Sequence, residues 1–240
     1  VEAVFEDIEM KQKILAEVEQ YTNDDFIFAT NTSALSIEEI GKYAKHPENV
    51  IGLHYFSPVS KMPLLEIVRT THTSNRTIAT CYDLGLNQGK TNIVVNNGPG
   101  FYVNRILAPY LNEAMLLLKE GGDIIQIDYA MKLYGFPVGP FALMDEVGID
   151  VGAHVMTGDL AEMFKRRKGA VMSEGLLKMN QAGFKGRKNT KGFLAYNKNG
   201  KKIRGKANEY VYEFFDKPLK VKFDLSDIQL RTTLLMVNEA

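Results

Sequence analysis

Apolar and polar positions follow two different rhythms along the chain. Over the first ninety or so residues, short apolar runs alternate with stretches of helical spacing. Residues 1–5, 26–29, 50–56, 64–68 and 92–95 read as strands. Between them, Ile8, Ile14, Leu15 and Val18 fall at helical intervals within 7–21. Ser36 followed by Glu39 marks a capped helix start, and 74–89 reads as a further helix. Strands alternating with helices predict an α/β domain with a largely parallel sheet. The rhythm changes at Asn97-Gly98-Pro99-Gly100, where glycine and proline mark a hinge. Beyond it strand patterns largely vanish. Residues 101–119 form a long helical stretch with Val103, Ile106, Leu107, Leu111 and Met115 on one face. Residues 128–134, 140–147, 152–164 and 227–240 predict more helices, 183–188 open a turn-rich basic loop, and 203–207 and 218–221 carry little signal.

Composition narrows the possibilities. With 240 residues, 45% of them hydrophobic, the chain has material for one or two cored domains, which excludes wholesale disorder. Lys plus Arg equals Asp plus Glu at 29 each, so there is no basic excess for sequence-independent nucleic-acid binding or a polybasic membrane anchor. No apolar run reaches the roughly 18 residues of a membrane-spanning helix. The single cysteine, Cys81, makes neither an internal disulfide nor a cysteine-based zinc site, and no paired-histidine spacing suggests another metal site. Residues 1–5 read as a buried strand already in progress, and 230–240 as a helix stopped without a cap. The expectation is a piece of a longer polypeptide, with 228–237 left as an exposed apolar helix able to drive self-association.

Several residues could carry chemistry. His54 ends a predicted strand just before a proline turn, the edge of an α/β sheet where ligands bind. It suits proton transfer there, with a histidine simply satisfied at a strand end as an equal alternative. Glu66, between Leu65 and Ile67, calls for a partner if buried; an imidazole would serve, and an edge strand turning Glu66 to water is the competing arrangement. Asn31-Thr32-Ser33 follows a strand and makes a turn or binds a ligand. Asn104, early in a helix, suggests a contact, whereas Asn112 reads as exposed. Lys185-Gly186-Arg187-Lys188 reads first as a solvated charge run, with a phosphate contact as the alternative. No G-x-G-x-x-G, P-loop or G-x-S-x-G occurs anywhere in the sequence.

Taken in order, Val1-Glu2-Ala3-Val4-Phe5-Glu6-Asp7, Ala29-Thr30-Asn31-Thr32-Ser33, Gly52-Leu53-His54-Tyr55-Phe56-Ser57-Pro58-Val59, Pro63-Leu64-Leu65-Glu66-Ile67-Val68, Gly98-Pro99-Gly100-Phe101-Tyr102-Val103-Asn104-Arg105, Gly135-Phe136-Pro137-Val138-Gly139-Pro140 and Gly183-Phe184-Lys185-Gly186-Arg187-Lys188 resemble the L-3-hydroxyacyl-CoA dehydrogenase family. The likeness is to its branch within multifunctional fatty-acid oxidation proteins. It covers nearly the whole chain; each piece is weak, and the ordered set is specific.

The resemblance implies the fold class α/β plus α. Residues 1–97 would be the second half of a Rossmann-type NAD-binding domain whose glycine-rich loop precedes Val1. Residues 98–200 would be an all-helical substrate and dimerisation domain, and 201–240 a linker and the start of a second helical domain. It implies NAD-dependent oxidation of L-3-hydroxyacyl-CoA to 3-ketoacyl-CoA in a cleft between the domains. His54 would be the general base and Glu66 its carboxylate partner. Glu6, Lys11, Ser33 and Ser57 would lie at the dinucleotide, and Ser33 and Asn104 at the substrate. Ser57 stands where single-function relatives tend to have asparagine. Without the glycine loop the pyrophosphate loses its helix N-terminus, so this chain alone is expected to bind NAD weakly and to be inactive. The expected partners are an acyl-CoA substrate and either a second copy or a thiolase subunit, with no nucleic acid. The expected compartment is the mitochondrial matrix, with the peroxisome as alternative. A dehydrogenase of free hydroxy acids and a non-catalytic, crystallin-like relative are the competing readings.

Overall fold

A computed structural model describes residues 1–216 and 219–240. The chain divides into two compact units, Val1–Val103 and Asn104–Ala240. Pro218, in the stretch of weak signal, lies outside the described residues.

The first unit is a four-stranded sheet with helices on its faces. Its elements are α1 (Ile8–Val18), β1 (Phe28–Thr30), α2 (Ile37–Ile40), β2 (Val50–Tyr55), β3 (Leu64–Arg69), α3 (Asn75–Asn87) and β4 (Thr91–Asn96). The strands lie in the order β1-β2-β3-β4. The outer pairs are parallel, as expected, but the central pair β2–β3 is antiparallel. The reason is the connection: β2 and β3 are joined by a short turn, and a parallel pair would need a crossover of a dozen residues or more.

Alternation along the strands divides the core between the two faces. Val50 and Val68 pack with Leu15, Phe28, Ile37 and Ile40, while Ile51, Leu53, Leu65 and Ile67 pack with Cys81. Gly52 permits the close seating of α2, since a Cβ there would meet Ile37 and Val68 at 2.9 Å. Helix starts are fixed locally: the side chains of Asp7, Ser36 and Ser74 accept from the N–H groups of Met10, Glu39 and Thr77.

The buried strand expected at 1–5 does not form. Glu2 alone bridges to Thr30, parallel to β1, and Val1 and Phe5 are exposed. Glu2 donates its N–H to the Ala29 carbonyl and accepts from the Asn31 N–H, and among the described residues the pairing with β1 goes no further along the run.

The second unit holds α4 (Val103–Lys119, whose first residue closes the first unit), α5 (Ile124–Tyr134), α6 (Pro140–Val147), α7 (Ile149–Val155), α8 (Asp159–Lys165), α9 (Gly175–Gln181), β5 (Leu194–Tyr196), β6 (Lys202–Ala207) and α10 (Leu225–Glu239). Its core gathers Leu117, Leu118, Ile127, Met131, Phe141, Phe193 and Phe215. It is not all-helical, because β5 and β6 form an antiparallel hairpin across residue 200. β6 is almost wholly exposed, so it lacks the apolar alternation that reveals a strand. The helix expected at 152–164 is divided into α7 and α8, with Gly158 at the break.

Two buried carboxylates organise this unit. Asp128 accepts from the N–H groups of Phe141 and Ala142 at the start of α6. Asp145 accepts from Phe193 and Leu194 and from the Tyr196 hydroxyl. Burial pushes each up to about 6, against the pull of those hydrogen bonds.

Asn112 is a further correction. It is buried, donating to the Val171 carbonyl and accepting from the Ser173 N–H, so it ties a loop to α4. On α10, Ile228 and Thr232 are buried, while Leu230, Leu234 and Val237 remain exposed. The apolar face expected there is therefore only partly free.

Candidate active site

The pairing of β2 and β3 sets His54 directly opposite Glu66. Residues opposed in an antiparallel pair project to the same face, so the side chains meet. Nδ1 of His54 lies 2.5 Å from Oε2 of Glu66; the carboxylate has no exposed surface, and the imidazole side chain is 7% exposed. An ionised carboxylate only accepts, so Nδ1 donates in this bond and Nε2 is the ring nitrogen placed to act as a base. The second oxygen of Glu66 accepts from the N–H groups of Tyr102 (3.1 Å) and Val103 (2.9 Å). Glu66 is thus buried with both oxygens satisfied on an interior strand, which removes the edge-strand alternative. The rings of Phe56 and Phe101 flank the imidazole at 4.5 and 5.6 Å between centroids. Phe101 follows Gly100 in a turn where both have positive φ.

A second cluster lies at the C-terminal end of β1. One oxygen of Glu6 accepts from the Thr32 hydroxyl (2.6 Å) and from the N–H groups of Ser33 (2.9 Å) and Ala34 (3.2 Å). Glu6 therefore shapes the turn that presents Ser33, which is exposed. Lys11 has no exposed surface; its ammonium lies 3.0 Å from Glu2 and 3.7 Å from Glu6. Glu2 also accepts from the Thr30 hydroxyl. Asn31 accepts from the N–H of Tyr55, joining this turn to the end of β2 beside His54. Asn31-Thr32-Ser33 does form the turn that the sequence suggests, whereas the part of Glu2 in this cluster was not legible. A lone glutamate in the apolar run 1–5 gives no sign that it will face a buried lysine nine residues on.

Ser57 lies on the exposed turn after β2, which begins with a cis Ser57-Pro58 peptide. Asn104 lies in the first turn of α4, in the second unit. The basic run 185–188 is ion-paired within its own unit, Arg187 to Glu146 and Lys188 to Asp150, both at 2.8 Å. His46 contacts Glu48 and Asp24, and the hydrogen bond it donates to Glu48 leads in raising its pKa. Among the described residues no group of three or more His, Cys, Asp or Glu could hold a metal, and no helix is long and apolar enough to cross a membrane.

Both halves of the chain are similar to known proteins. The pattern described as 3-hydroxyacyl-CoA dehydrogenase, NAD binding domain matches residues 1–98, and that of the 3-hydroxyacyl-CoA dehydrogenase C-terminal domain matches 100–196. The fatty acid oxidation complex subunit alpha of Vibrio vulnificus is 47% identical over the whole chain. This chain spans about a third of that relative's length, 33%. Among solved structures, the (S)-3-hydroxybutyryl-CoA dehydrogenase PaaH1 of Ralstonia eutropha is 36% identical with a TM-score of 0.76, over 82% of this chain and 69% of its own. FadB2 of M. tuberculosis is 34% identical with a TM-score of 0.75, over 81% and 69% respectively. Matched curated relatives come from Vibrio, Idiomarina and Shewanella. These are bacteria, which overturns the mitochondrial matrix, and the peroxisome with it.

The residues present fit the nicotinamide end of NAD. Its carboxamide and ribose hydroxyls need acceptors and donors side by side. The partly exposed Glu6 carboxylate and the Ser33 hydroxyl supply them at the carboxyl end of a parallel strand. Lys11 is too deeply buried to touch a ligand and acts on Glu6 instead.

Proposed function

Because the chain belongs to the 3-hydroxyacyl-CoA dehydrogenase family, we propose that it carries the dehydrogenase step of fatty-acid β-oxidation, the oxidation of L-3-hydroxyacyl-CoA to 3-ketoacyl-CoA. The observation that carries this reading is the buried pair of His54 and Glu66 at the end of β2. NAD, when bound, supplies the hydride acceptor. His54 Nε2 takes the proton of the 3-hydroxyl, while Nδ1–H stays on the Glu66 carboxylate. As the imidazolium forms, Glu66 balances its charge without leaving its two backbone donors. In the reverse direction His54 returns the proton to the alkoxide oxygen. Base assistance of this kind is worth roughly 10²–10⁴-fold.

The other roles follow from position and family likeness. Glu6 and Ser33 orient the nicotinamide end, with Lys11 fixing Glu6 and Glu2 fixing Lys11. By family likeness alone, Ser33 and the Asn104 amide are each assigned to the acyl-CoA, and Ser57 to the cofactor side. In this reading residues 1–97 serve the cofactor, 98–200 the substrate and dimerisation, and 201–240 lead into a further helical unit. The whole protein would assemble as a homodimer or with a thiolase subunit.

The test is NADH oxidation driven by acetoacetyl-CoA. Turnover that requires the CoA thioester supports the reading. Turnover of free acetoacetate instead would make the protein a hydroxy-acid dehydrogenase, and no turnover with either, on a folded chain that contains the glycine loop, would sink it.

A further inference from the structure

The turn joining β2 to β3 is tied to the rest of its unit by a lysine. Residues 57–62 are all exposed. Internally, the N–H groups of Lys61 and Met62 both donate to the Pro58 carbonyl. Outside the turn, one side chain reaches it: Lys90, whose ammonium donates to the carbonyls of Val59 and Met62, the latter at 2.8 Å. Among the described residues no other side chain bonds to 57–62; the next tie is the Thr91 N–H on the Pro63 carbonyl, where β3 begins.

The backbone of Lys90 is fixed by its neighbours. It sits between Gly89, at φ 71°, and the first residue of β4, and its N–H donates to the Gly85 carbonyl. Its ammonium also lies 5.9 Å from the Tyr55 ring centroid, within cation–π range. The Tyr55 hydroxyl donates to Gln88 at 2.8 Å, so Gln88 and Lys90 hold the end of β2 and the turn that leaves it.

An ammonium suits this task. It has three donors and no acceptor, so it can hold two carbonyls at once, and a charged donor bonds more strongly than a neutral one. The turn follows directly on Phe56, whose ring packs on His54.

We propose that Lys90 is a positioning residue of the active site, setting the turn 57–62, and with it Ser57, beside the His54–Glu66 pair. This rests on the dehydrogenase reading of that pair. Lys90 touches neither the imidazole nor Glu66, so its loss moves the turn and leaves proton transfer intact.

The test compares Lys90→Met and Lys90→Arg with the parent in the full chain. Without ligand, tryptic cleavage after Lys61, followed by mass spectrometry, reports release of the turn. Kinetics then give KM for NADH, KM for acetoacetyl-CoA and the pH profile of kcat. In Lys90→Met, cleavage at Lys61 should quicken about tenfold and KM for NADH rise about tenfold, from the loss of charge-assisted hydrogen bonds. The pH profile should not move, and Lys90→Arg should restore most of both effects. Unchanged cleavage and unchanged KM would overturn the proposal, as would a shifted pH profile or equal damage to both KM values. Should Lys90→Met fail to fold, Lys90→Gln is read in the same ways. If the parent shows no turnover, the dehydrogenase reading fails, and the cleavage assay still decides whether Lys90 holds the turn.

Discussion

Glu66 faces His54 across the antiparallel pair of β2 and β3, and this register puts Oε2 within 2.5 Å of Nδ1. A slip of one residue would turn Glu66 to the opposite face of the sheet. The register is held by Leu53 and Ile67, paired next to them and both fully buried. The packing of one face thereby fixes the chemistry of the other.

Replacing His54 by alanine should lower acetoacetyl-CoA-driven NADH oxidation by roughly 10²–10⁴-fold. It also leaves one oxygen of Glu66 buried without its partner, at a cost of about 1–3 kcal/mol. Steady-state rates and a thermal melt check both. Full activity in a folded variant would remove His54 from the mechanism.

Glu66 serves two neighbours, so its variants should separate. Glu66→Gln keeps a carbonyl oxygen able to accept from Tyr102 and Val103 but cannot balance an imidazolium. Glu66→Ala also strands those N–H groups, and should be less stable than Glu66→Gln by about 1–3 kcal/mol. Denaturant melts measure the gap; equal stabilities would mean that the backbone bonds contribute nothing.

The second unit should gain stability as pH falls from about 7 to about 5. Asp128 and Asp145 are held at about 6, above the ordinary 3.8, by burial. A raised folded pKa gives stabilisation that is complete below the ordinary value and is lost as pH rises through the folded one. Glu120, bound by Arg231, and Glu239, whose burial is outweighed by Arg167 and Arg105, have lowered values and act oppositely, below the ordinary 4.5. Melts of the parent and of Asp145→Asn across this range should show a smaller gain in the variant. A parent that steadily loses stability from neutral pH downward would contradict the assignment.

Cys81 is buried against Ile51 and Leu65, and burial pushes its thiol up to about 11. Alkylation near neutral pH should therefore be slow in the folded chain and become fast in denaturant. Rapid labelling without denaturant would show that α3 opens from the sheet.

Some of this was legible because its cause is local. Ser74 and Pro140 start helices through bonds and backbone geometry within one turn, and β2 and β3 declare themselves as apolar runs. The antiparallel centre of the sheet was less legible: apolar runs at 50–56 and 64–68 do not state their direction, which only the short connection between them decides. Asn112 read as exposed because one asparagine on a helix looks the same whether it meets water or, as here, the backbone of residues 171 and 173. The hairpin of β5 and β6 was hidden by charge, as an exposed strand needs no apolar side chains.

By itself the sequence determined the order of most elements, the α/β-then-helical plan and, through its ordered motifs, the family. These depend on periodicity, caps and residue identity, which act over a few positions. Only the tertiary structure decided that Glu66 is interior and joined to His54, that Lys11 is sealed between Glu2 and Glu6, and that Lys90 tethers the turn at 57–62. Each is an electrostatic pairing between residues distant in sequence or removed from water. Its strength comes from burial and direction, which exist only once the chain has folded.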